Sequence, residues 1–201
     1  MARTLFLIRH GAPEVAAGIC YGSTDIGLRE AAADTATRLR AALPMQFDLF
    51  SSPLQRCRLL AEALGSPICD ARLAEMHFGA WEGLAFDAIP RGDIDAWATT
   101  PLDFRPPGGE TAREMAVRAQ AALGDVLARS TGDIVLVTHG GPLRAMVARL
   151  TGEAPDAATA SAGPWLARSF RHGSLSMARL HTDGHATLRM DVMAASAGRT
   201  R

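Results

Sequence analysis

Short apolar runs alternate along the chain with longer segments in which apolar positions recur every three or four residues. The runs at residues 4–8, 47–52 and 134–138 are typical of strands that are buried on both faces of a sheet, and residues 68–70 indicate a further short strand. The longer segments have the spacing of amphipathic helices. The predicted helices are residues 28–43, 53–65, 111–130 and 142–152.

The ends of two predicted helices carry specific signals. Thr111 and Glu114 have the spacing of a capping box, in which each side chain accepts a hydrogen bond from the backbone N–H of the other residue. The helix at 53–65 closes at Gly65, because glycine most readily takes the backbone conformation that ends a helix. Both signals support the boundaries that the apolar spacing predicts.

The order of the elements predicts an α/β fold, a three-layer α/β/α sandwich around a mostly parallel central sheet. The antiparallel component is expected near the end of the chain. There, residues 174–192 read as a hairpin that turns at Asp183 and Gly184. With 48% hydrophobic residues the chain can bury a substantial core, so we expect one domain over residues 1–193.

Two parts of the chain depart from this pattern. Between residues 72 and 109 the periodicity weakens into Gly, Pro and Trp, which indicates an insertion or lid with a short helix near residues 93–100. The tail at residues 194–201 has no periodicity and is expected to fray. The lid is therefore the part of the domain in which the sequence predicts the least regular structure.

The composition of the chain excludes several classes of function. The chain has 21 basic and 21 acidic side chains, so it lacks the basic excess that favours nucleic acid or an anionic membrane surface. All the basic side chains are arginine and lysine is absent, which excludes Schiff-base chemistry and a P-loop lysine. Any anion site must therefore be a local arrangement of residues.

The cysteines and the hydropathy pattern indicate the compartment. Cys20, Cys57 and Cys69 are odd in number and lack the spacing of metal ligands, so we expect reduced thiols that pack as small buried hydrophobic residues. The first apolar run is too short for a signal-peptide core, and no run approaches the ~20 residues of a membrane span. We therefore expect a soluble, cytoplasmic protein.

Polar residues follow three of the predicted strands, at the point where each strand ends. Residues 9–11 are Arg-His-Gly, residues 51–53 are Ser-Ser-Pro, and residues 139–142 are His-Gly-Gly-Pro. Ligands of open α/β sheets bind at the carboxyl ends of the strands, so the three clusters are expected to meet in one crevice. One such pair of residues is a weak signal, but three strand ends together indicate a functional site.

The second predicted strand leads into a predicted helix whose N-terminus can bind an anion. Ser52 has the position of an N-cap, with Gln55 at the fourth position of a capping box and Pro53 in the first turn. This places Arg56 one turn into the helix, where its guanidinium and the free N–H groups of the helix start favour an anion. The residues of all three strand ends predict a phosphate-sized pocket without a metal. Its side chains are Arg9, His10, Arg56 and His139.

Four segments, "LIRHG", "SSPLQRCRLLAE", "LAEMHFGAWEG" and "VTHGG", resemble the ordered motifs of the histidine phosphatase superfamily, the phosphoglycerate-mutase-like family. The resemblance covers most of the chain and implies the fold of that family. It implies that His10 attacks a phosphoryl group to give a phosphohistidine and that Glu75 is the proton donor. Arg9, Arg56 and His139 match the residues of the family's phosphate pocket.

The chemistry of these side chains is consistent with that assignment. An imidazole attacks phosphorus through a nitrogen lone pair, and the adjacent Arg9 and Arg56 disfavour the protonated form of His10. The leaving oxygen needs a proton, and water must then be deprotonated, so one carboxyl group can serve as acid and then as base. Glu75 is the predicted group. Glu82 is the other candidate, with helix capping or lid closing as its structural alternative.

Further residues are predicted to surround the substrate. Trp81 and Trp97 can shape a lid over an organic leaving group, although structural packing explains each equally well, and His77 can line the pocket. The residues assigned to substrate binding are Tyr21, Gly22, Glu82 and Gly140. The histidines of the terminal hairpin region are expected to be surface or strand residues, and these are His172, His181 and His185.

Three segments, "GICYGSTDIGL", "FGAWEG" and "PPGGET", are similar to the α-ribazole phosphatase branch, which acts in assembly of the cobalamin nucleotide loop. The resemblance implies a nucleotide-like monophosphate as substrate. The chain departs from the wider family after the first motif, where Ala12 and Pro13 replace the usual acidic and hydroxyl residues. The common asparagine a few positions on is also missing, with Ala16 nearby.

Other functions are compatible with the same motifs. A broad-specificity sugar-phosphate or nucleotide phosphatase and a phosphoglycerate mutase are the alternatives, and the short lid and absent lysine disfavour the mutase. A non-catalytic phosphate-binding module is disfavoured because both His10 and Glu75 are present. A metalloenzyme built on His10 and His139 is disfavoured because the arginines would repel a dication.

The predicted partners follow from this interpretation. We expect no metal and no cofactor, and a small-molecule phosphomonoester as the binding partner. Neither nucleic acid nor a membrane is expected to bind, and the chain is expected to act as a monomer or a homodimer.

Overall fold

A six-stranded sheet runs through the part of the chain that the computed structural model describes, residues 3–153, 164–181 and 186–193. The order of the strands across the sheet is β3-β2-β4-β1-β5-β6. The strands are β1 (Arg3–Arg9), β2 (Asp48–Ser51), β3 (Ile68–Cys69), β4 (Ile134–Thr138), β5 (Leu175–Leu180) and β6 (Ala186–Met193).

Strands β1 to β4 are parallel to one another, β5 is antiparallel to β1, and β6 is antiparallel to β5. Strand β4 lies between β1 and β2, with Leu5 opposite Ile134 on one side and Asp48 opposite Ile134 on the other. Strand β5 runs antiparallel to β1, so that its first residue, Leu175, lies opposite Ile8 near the end of β1. The predicted hairpin is confirmed for its two strands, while its turn at Asp183 and Gly184 lies outside the described residues.

Helices cover both faces of the sheet and complete the predicted three layers. On one face Leu5 and Leu7 of β1 pack in a core that includes Met115 and Leu143. On the other face Phe6 and its neighbours pack in a separate core with residues of two further helices. The helices are α1 (Ala32–Arg40), α2 (Gln55–Leu64), α3 (Arg91–Thr99), α4 (Ala112–Arg129) and α5 (Gly140–Leu150).

The alternation of the two cores explains the apolar runs of the sequence. In β4, Ile134 and Leu136 belong to the core of α4 and α5, whereas Val135 and Val137 belong to the core of α1 and α2. Successive side chains of a strand point to opposite faces, so a strand buried on both faces has no polar position. The parallel pairing of β4 with β1 and β2 places the carboxyl ends of these three strands at one edge of the sheet.

The segment at 72–109 has a small core of its own. Trp81 stacks on Phe104 at 5.3 Å between ring centroids and meets Trp97 edge-on at 5.6 Å. Buried Cys20, from the loop after β1, packs in the same cluster. The predicted short helix is confirmed as α3, and Trp81 is a core residue of this lobe.

The start of the first helix differs from the prediction for an identifiable reason. Helix α1 begins at Ala32 instead of residue 28, because Leu28 bridges Pro13 and the N–H of Arg29 donates to the carbonyl of Ala12 at 2.9 Å. These long-range contacts hold the preceding residues out of the helix. The predicted capping box of α4 is confirmed.

The expected burial of the cysteines is confirmed at two positions and wrong at the third. Cys20 and Cys57 are buried, but Cys69 is exposed because it lies on β3, the short strand at the edge of the described sheet. No helix of the described ranges is both long and apolar enough to cross a membrane. The tail at residues 194–201 lies outside the described residues.

Candidate active site

His10 follows β1 and is almost completely buried, with 1% of its surface exposed. Its Nδ1 lies 2.7 Å from the carbonyl oxygen of Gly11. A carbonyl oxygen only accepts hydrogen bonds, so Nδ1 carries the proton and Nε2 carries the lone pair. The backbone fixes the ring position, because the N–H of His10 donates to Thr138 and its carbonyl accepts from Gly173. The first strand therefore presents a neutral imidazole with one unprotonated nitrogen.

The surroundings of His10 keep it neutral. Burial lowers the pKa of His10 well below its ordinary value, and the positive charges of Arg56 and Arg9 lower it further against the opposing hydrogen bond to Gly11. A buried imidazole loses the hydration that stabilises its cation, and neighbouring cations repel that form. Near neutral pH the lone pair of Nε2 is therefore available.

Arg56 is the second residue of α2 and is fully buried. Its Nη1 donates to the carbonyl of Thr24 at 2.8 Å and its Nη2 to the carbonyl of Gly22, while its Nε has no partner. Gly22 is needed here, because a Cβ on it would lie 1.8 Å from the carbonyl oxygen of Met76. Close backbone approach thus fixes the loop that orients the guanidinium, whose central carbon lies 5.7 Å from the ring centroid of Tyr21.

The predicted capping role of Ser52 is wrong. Helix α2 begins at Gln55 after the extended residue Leu54, and the N–H of Gln55 donates to Asp25 at 2.7 Å. The hydroxyl of Ser52 lies 2.8 Å from Nε2 of His139. The side chain that the spacing assigned to the helix end therefore orients an imidazole of the site.

Arg9 completes a pair of cations without an acidic partner. Its Nη1 donates to the carbonyl of Phe170 at 2.6 Å, and its Nε is buried without a hydrogen bond. Within residues 3–153, 164–181 and 186–193, neither Arg9 nor Arg56 forms an ion pair with a carboxylate. Buried charge without compensation is costly, so this arrangement is suited to bind an anion.

His139 lies at the N-terminus of α5, and its ring centroid is 5.0 Å from that of His10. Burial lowers the pKa of His139 well below its ordinary value, and His10 and the arginines act in the same direction. The Sγ of Cys57 lies 3.3 Å from Nε2 of His139. His139 is therefore a neutral, packed imidazole beside the first. Gly140 follows it in contact with the guanidinium of Arg9, which a Cβ would approach to 3.5 Å.

Glu75 is held at the start of α5, opposite the histidines. Both of its carboxylate oxygens lie 3.2 Å from the backbone nitrogen of Gly141, which donates to them. A Cβ on Gly141 would lie 2.3 Å from Oε1 of Glu75, so glycine permits this approach. A helix N-terminus attracts negative charge. The structure thus brings Glu75 into the cavity that contains His10.

Glu82 does not line this cavity. Its carboxylate accepts hydrogen bonds from the backbone N–H groups and hydroxyls of Ser23 and Thr24, and from the N–H of Phe78 at 3.0 Å. Burial alone would raise the pKa of Glu82, but these hydrogen bonds outweigh it and lower that pKa to about 2. The position of Glu82 fits the structural alternative, since it ties the loop after β1 to the 72–109 segment.

The cavity beside His10 has a volume of about 440 Å³. Its polar end contains Arg9, Glu75 and Arg144 together with His10. The remainder is mainly apolar, with five aromatic side chains, Tyr21, Phe78, Phe86, Trp97 and Trp165. Such a cavity suits an organic leaving group with a substantial apolar surface.

Of the predicted lining residues, Tyr21 and Trp97 lie in the wall, whereas His77 does not. The side chain of His77 is exposed, and its Nδ1 accepts a hydrogen bond from the backbone of Gly79. Gly22 contributes through its carbonyl to Arg56 and is likewise not in the wall.

Sequence reasoning missed His172, whose ring centroid is 5.3 Å from that of His10. Burial lowers the pKa of His172 to about 4, with Arg9 and Arg29 contributing. The residue was expected at the surface, but it directly precedes the antiparallel strand β5. Because β5 begins where β1 ends, residues just before it lie at the same edge of the sheet. The predicted antiparallel strand was the signal that could have placed His172 there.

Arg144 was also missed. It lies one turn into α5, lines the cavity and donates from Nε to the carbonyl of Arg168 at 2.6 Å. Burial lowers the pKa of Arg144. The negative charge of Glu75 opposes this change, and the positive charge of Arg9 lowers the pKa further. Across the described ranges Arg144 forms no ion pair with a carboxylate. The cavity therefore offers a second cation besides Arg9 among its described lining residues.

The buried imidazoles predict that stability decreases at acid pH. In the unfolded chain a histidine titrates near 6.5, whereas the pKa values of folded His10 and His139 are well below it. Below pH 6.5 the unfolded state binds more protons, so the unfolding free energy falls by up to about 1.4 kcal/mol per pH unit for each imidazole. Urea unfolding between pH 5 and 8 measures this slope. His139→Gln is expected to reduce it, and a slope unchanged in this variant would contradict the prediction.

No group of three or more His, Cys, Asp and Glu side chains that could hold a metal ion occurs in the part of the chain that the structure describes. The site brings together neutral imidazoles, three arginines that have no carboxylate partner among the described residues, and one carboxylate, at the carboxyl edge of a mostly parallel sheet. These features define an α/β protein with a buried, positively charged site that contains imidazoles and a carboxylate.

The comparison with known families agrees with that class. The family model described as histidine phosphatase superfamily (branch 1) matches residues 5–188. The chain belongs to the histidine phosphatase superfamily and is a phosphatase of that superfamily.

Individual relatives differ in their named activities. The chain is 32% identical over 169 residues to glucosyl-3-phosphoglycerate phosphatase of Mycolicibacterium vanbaalenii, covering 75% of each chain. It is 30% identical over 178 residues to 2,3-bisphosphoglycerate-dependent phosphoglycerate mutase of Brucella canis, covering 78% of this chain and 85% of the relative. The structure of α-ribazole phosphatase from Shigella flexneri matches with a TM-score of 0.80 and 25% identity, covering 94% of this chain and 96% of that one.

Proposed function

We propose that this phosphatase hydrolyses phosphomonoesters through a phosphohistidine on Nε2 of His10. The observation that carries the proposal is the pairing of a neutral, oriented imidazole with Arg9 and Arg56, two cations that have no carboxylate partner in the described residues. A phosphate monoester supplies the missing negative charge and places its phosphorus beside the lone pair.

In the first step, the lone pair of His10 forms a bond to phosphorus as the bond from phosphorus to the leaving oxygen breaks. Glu75, as the carboxylic acid, transfers its proton to that oxygen and becomes a carboxylate. In the second step, the carboxylate takes a proton from a water molecule, whose oxygen attacks the phosphohistidine. The bond from phosphorus to Nε2 breaks, which releases phosphate and restores the neutral imidazole.

Charge on the transferred phosphoryl group is stabilised by residues that surround His10. Phosphoryl transfer passes through a loose transition state with charge on the equatorial oxygens, so positioned cations and hydrogen-bond donors provide most of the catalysis. We assign this role to Arg9, Arg56 and His139. These groups are already oriented by carbonyls and by the hydroxyl of Ser52, so little reorganisation is needed.

We assign the leaving group to the apolar part of the cavity and propose that the 72–109 segment acts as its lid. Phe78, Phe86 and Trp97 come from this segment and line the cavity. Aromatic walls favour a flat, apolar group over a small polyanion. This supports α-ribazole 5′-phosphate, in assembly of the cobalamin nucleotide loop, as the substrate, in keeping with the structural relative of that name.

Arg144 supports a second candidate, a phosphomonoester whose leaving group carries a carboxylate. Its guanidinium lines the leaving-group cavity, has no carboxylate partner in the described part of the chain and can form a forked pair with a planar anion. The relative named for glucosyl-3-phosphoglycerate has such a substrate. A mutase would need to retain the phosphoryl group, and the cavity offers only this one cation beyond Arg9 among its described lining residues.

Matched substrates distinguish the two candidates. We expect kcat/KM for α-ribazole 5′-phosphate to exceed that for 3-phosphoglycerate by at least about 10-fold, and Arg144→Met to leave the former within about 3-fold. If a carboxylate is recognised instead, wild type will prefer 3-phosphoglycerate to glycerol 3-phosphate, and Arg144→Met will remove that preference. Arg149→Met, on an exposed position of α5, is the control. Equal, very low activity on all three would contradict both candidates.

A further inference from the structure

The segment that carries Glu75 has little regular structure of its own. After the single turn of 3-10 helix at Ala71–Leu73 the chain is extended, and Glu75 lies in neither a strand nor a helix. The contacts of its carboxylate are with backbone N–H groups, 3.2 Å from Gly141 and 3.0 Å from the adjacent Met76. Because backbone groups hold the carboxylate, its direction depends on how the backbone is held.

One side chain of α4 binds this backbone at three successive points. Nη1 of Arg118 donates to the carbonyls of Arg72 and Ala74 at 2.8 and 2.7 Å, and Nη2 donates to the carbonyl of Glu75 itself at 3.0 Å. Arg118 is 43 residues or more from these carbonyls in sequence. A charged donor forms stronger hydrogen bonds than a neutral one, and the planar guanidinium holds the three carbonyls in a fixed relation.

A carboxylate extends this contact to the other side of Glu75. Glu110 accepts from Nε of Arg118 at 3.0 Å and from Nη2 at 2.5 Å, and the same carboxylate accepts from the N–H of His77 at 2.9 Å. The backbone N–H of Glu110 in turn donates to the carbonyl of His77 at 2.9 Å. Arg118 and Glu110, here called the Arg118–Glu110 clip, therefore hold the chain both before and after Glu75.

A separate hydrogen bond joins the segment to the sheet. The hydroxyl of Thr138, the last residue of β4, donates to the carbonyl of Leu73 at 2.6 Å. Thr138 precedes His139, and its carbonyl oxygen accepts a hydrogen bond from the backbone N–H of His10. Glu75 is thus positioned between the end of β4 and the clip, with its carboxylate at the first turn of α5.

We infer that Arg118 and Glu110 are positioning residues that hold the Glu75 carboxyl in line for proton transfer to the leaving oxygen. The inference rests on the proposed role of Glu75. Neither member of the clip lines the cavity, and both contact the backbone on either side of Glu75. A misplacement of about 1 Å in a reacting group can lower a rate by about 10²-fold, which is the effect expected when the clip is removed.

The test measures the rate of His10 phosphorylation by rapid quench with two substrates. Glycerol 3-phosphate has an alkoxide leaving group that needs a proton, whereas the anion of p-nitrophenyl phosphate departs without one. We expect Arg118→Met to slow the first reaction by about 10²-fold and the second by less than about 3-fold. Arg118→Lys, which retains charge and some donors, is expected to recover part of the loss.

Further variants separate positioning from general damage. Glu110→Gln leaves Arg118 in place but weakens the clip, so it should show the same leaving-group dependence to a smaller degree. Arg58→Met removes an exposed ion pair with Glu62 on α2 and should leave both rates unchanged. Adding Arg118→Met to Glu75→Gln should cause no further loss, because the position of residue 75 no longer matters once its carboxyl group is gone.

Three results would overturn the inference. Equal slowing of both substrates in Arg118→Met and Glu110→Gln would mean that the clip supports the fold alone. Unchanged rates in folded variants would mean that Glu75 is oriented without it. If Glu75→Gln itself lacks leaving-group dependence, the assignment of the proton donor fails first, which distinguishes failure of the proposed mechanism from failure of the clip.

Discussion

His10→Ala is expected to lose phosphomonoesterase activity by roughly 10⁴-fold or more, because the variant lacks the only nitrogen lone pair that the proposed first step uses. Brief incubation with a ³²P-labelled phosphomonoester, quenched without acid because phosphohistidine is acid-labile, should label the wild-type protein and leave the variant unlabelled. The neutral state and orientation of His10 Nε2 are the physical basis of this expectation.

The neighbouring imidazole provides the matched control. His172 lies 5.3 Å from His10 between ring centroids but has no position in the proposed attack. His172→Ala should therefore still take up label. Label that persists on a histidine of His10→Ala, or that disappears in a folded His172→Ala while His10→Ala retains it, would show that the nucleophile is assigned to the wrong residue.

Glu75→Gln is expected to slow phosphorylation of His10 by an alkyl phosphate by roughly 10²- to 10⁴-fold, the usual contribution of a general acid. The same variant should react with p-nitrophenyl phosphate at nearly the wild-type rate in this step, since nitrophenolate leaves without a proton. Water activation would still be impaired. Phosphohistidine should then accumulate with the aryl substrate and appear as a burst in presteady-state kinetics.

Glu82→Gln is the control for this experiment. Its carboxylate is occupied by Ser23, Thr24 and Phe78, so the amide should lower the melting temperature without any leaving-group dependence. If Glu82→Gln slows the alkyl substrate selectively while Glu75→Gln does not, the two roles must be exchanged. We expect the leaving-group dependence in Glu75→Gln and not in Glu82→Gln, because Glu75 faces the cavity and Glu82 does not.

Much of the fold could be predicted from local pattern. The central residues of strands β1 and β4, 5–8 and 134–137, are apolar and pack alternately on two cores, and this requirement is visible in the sequence as an apolar run. The Thr111–Glu114 box lies within four residues of chain, so its spacing alone was sufficient. The start of α1 was wrong because contacts with residues 12 and 13 hold Leu28 and Arg29 outside the helix.

The core of the candidate site could also be predicted, because parallel strands end at one edge of the sheet. Arg9, His10 and His139 directly follow or close strands, and Arg56 opens the helix after a third. Their convergence therefore follows from topology. The hydroxyl of Ser52 was assigned to the wrong partner, because a helix end within three residues and an imidazole 87 residues away are equally within its reach once the chain folds.

The sequence by itself thus determined the layers, the common edge of the strands and the identity of the residues at that edge, since each depends on patterns within a few residues. Only the tertiary structure decided which carboxylate faces the cavity, and it also brought Arg144, Arg118 and His172 to the site. These placements depend on contacts between residues 24 to 163 positions apart, such as Arg144 with Arg168 or Gly173 with His10. No local spacing encodes such contacts, because they form only when packed helices and strands bring distant parts of the backbone together.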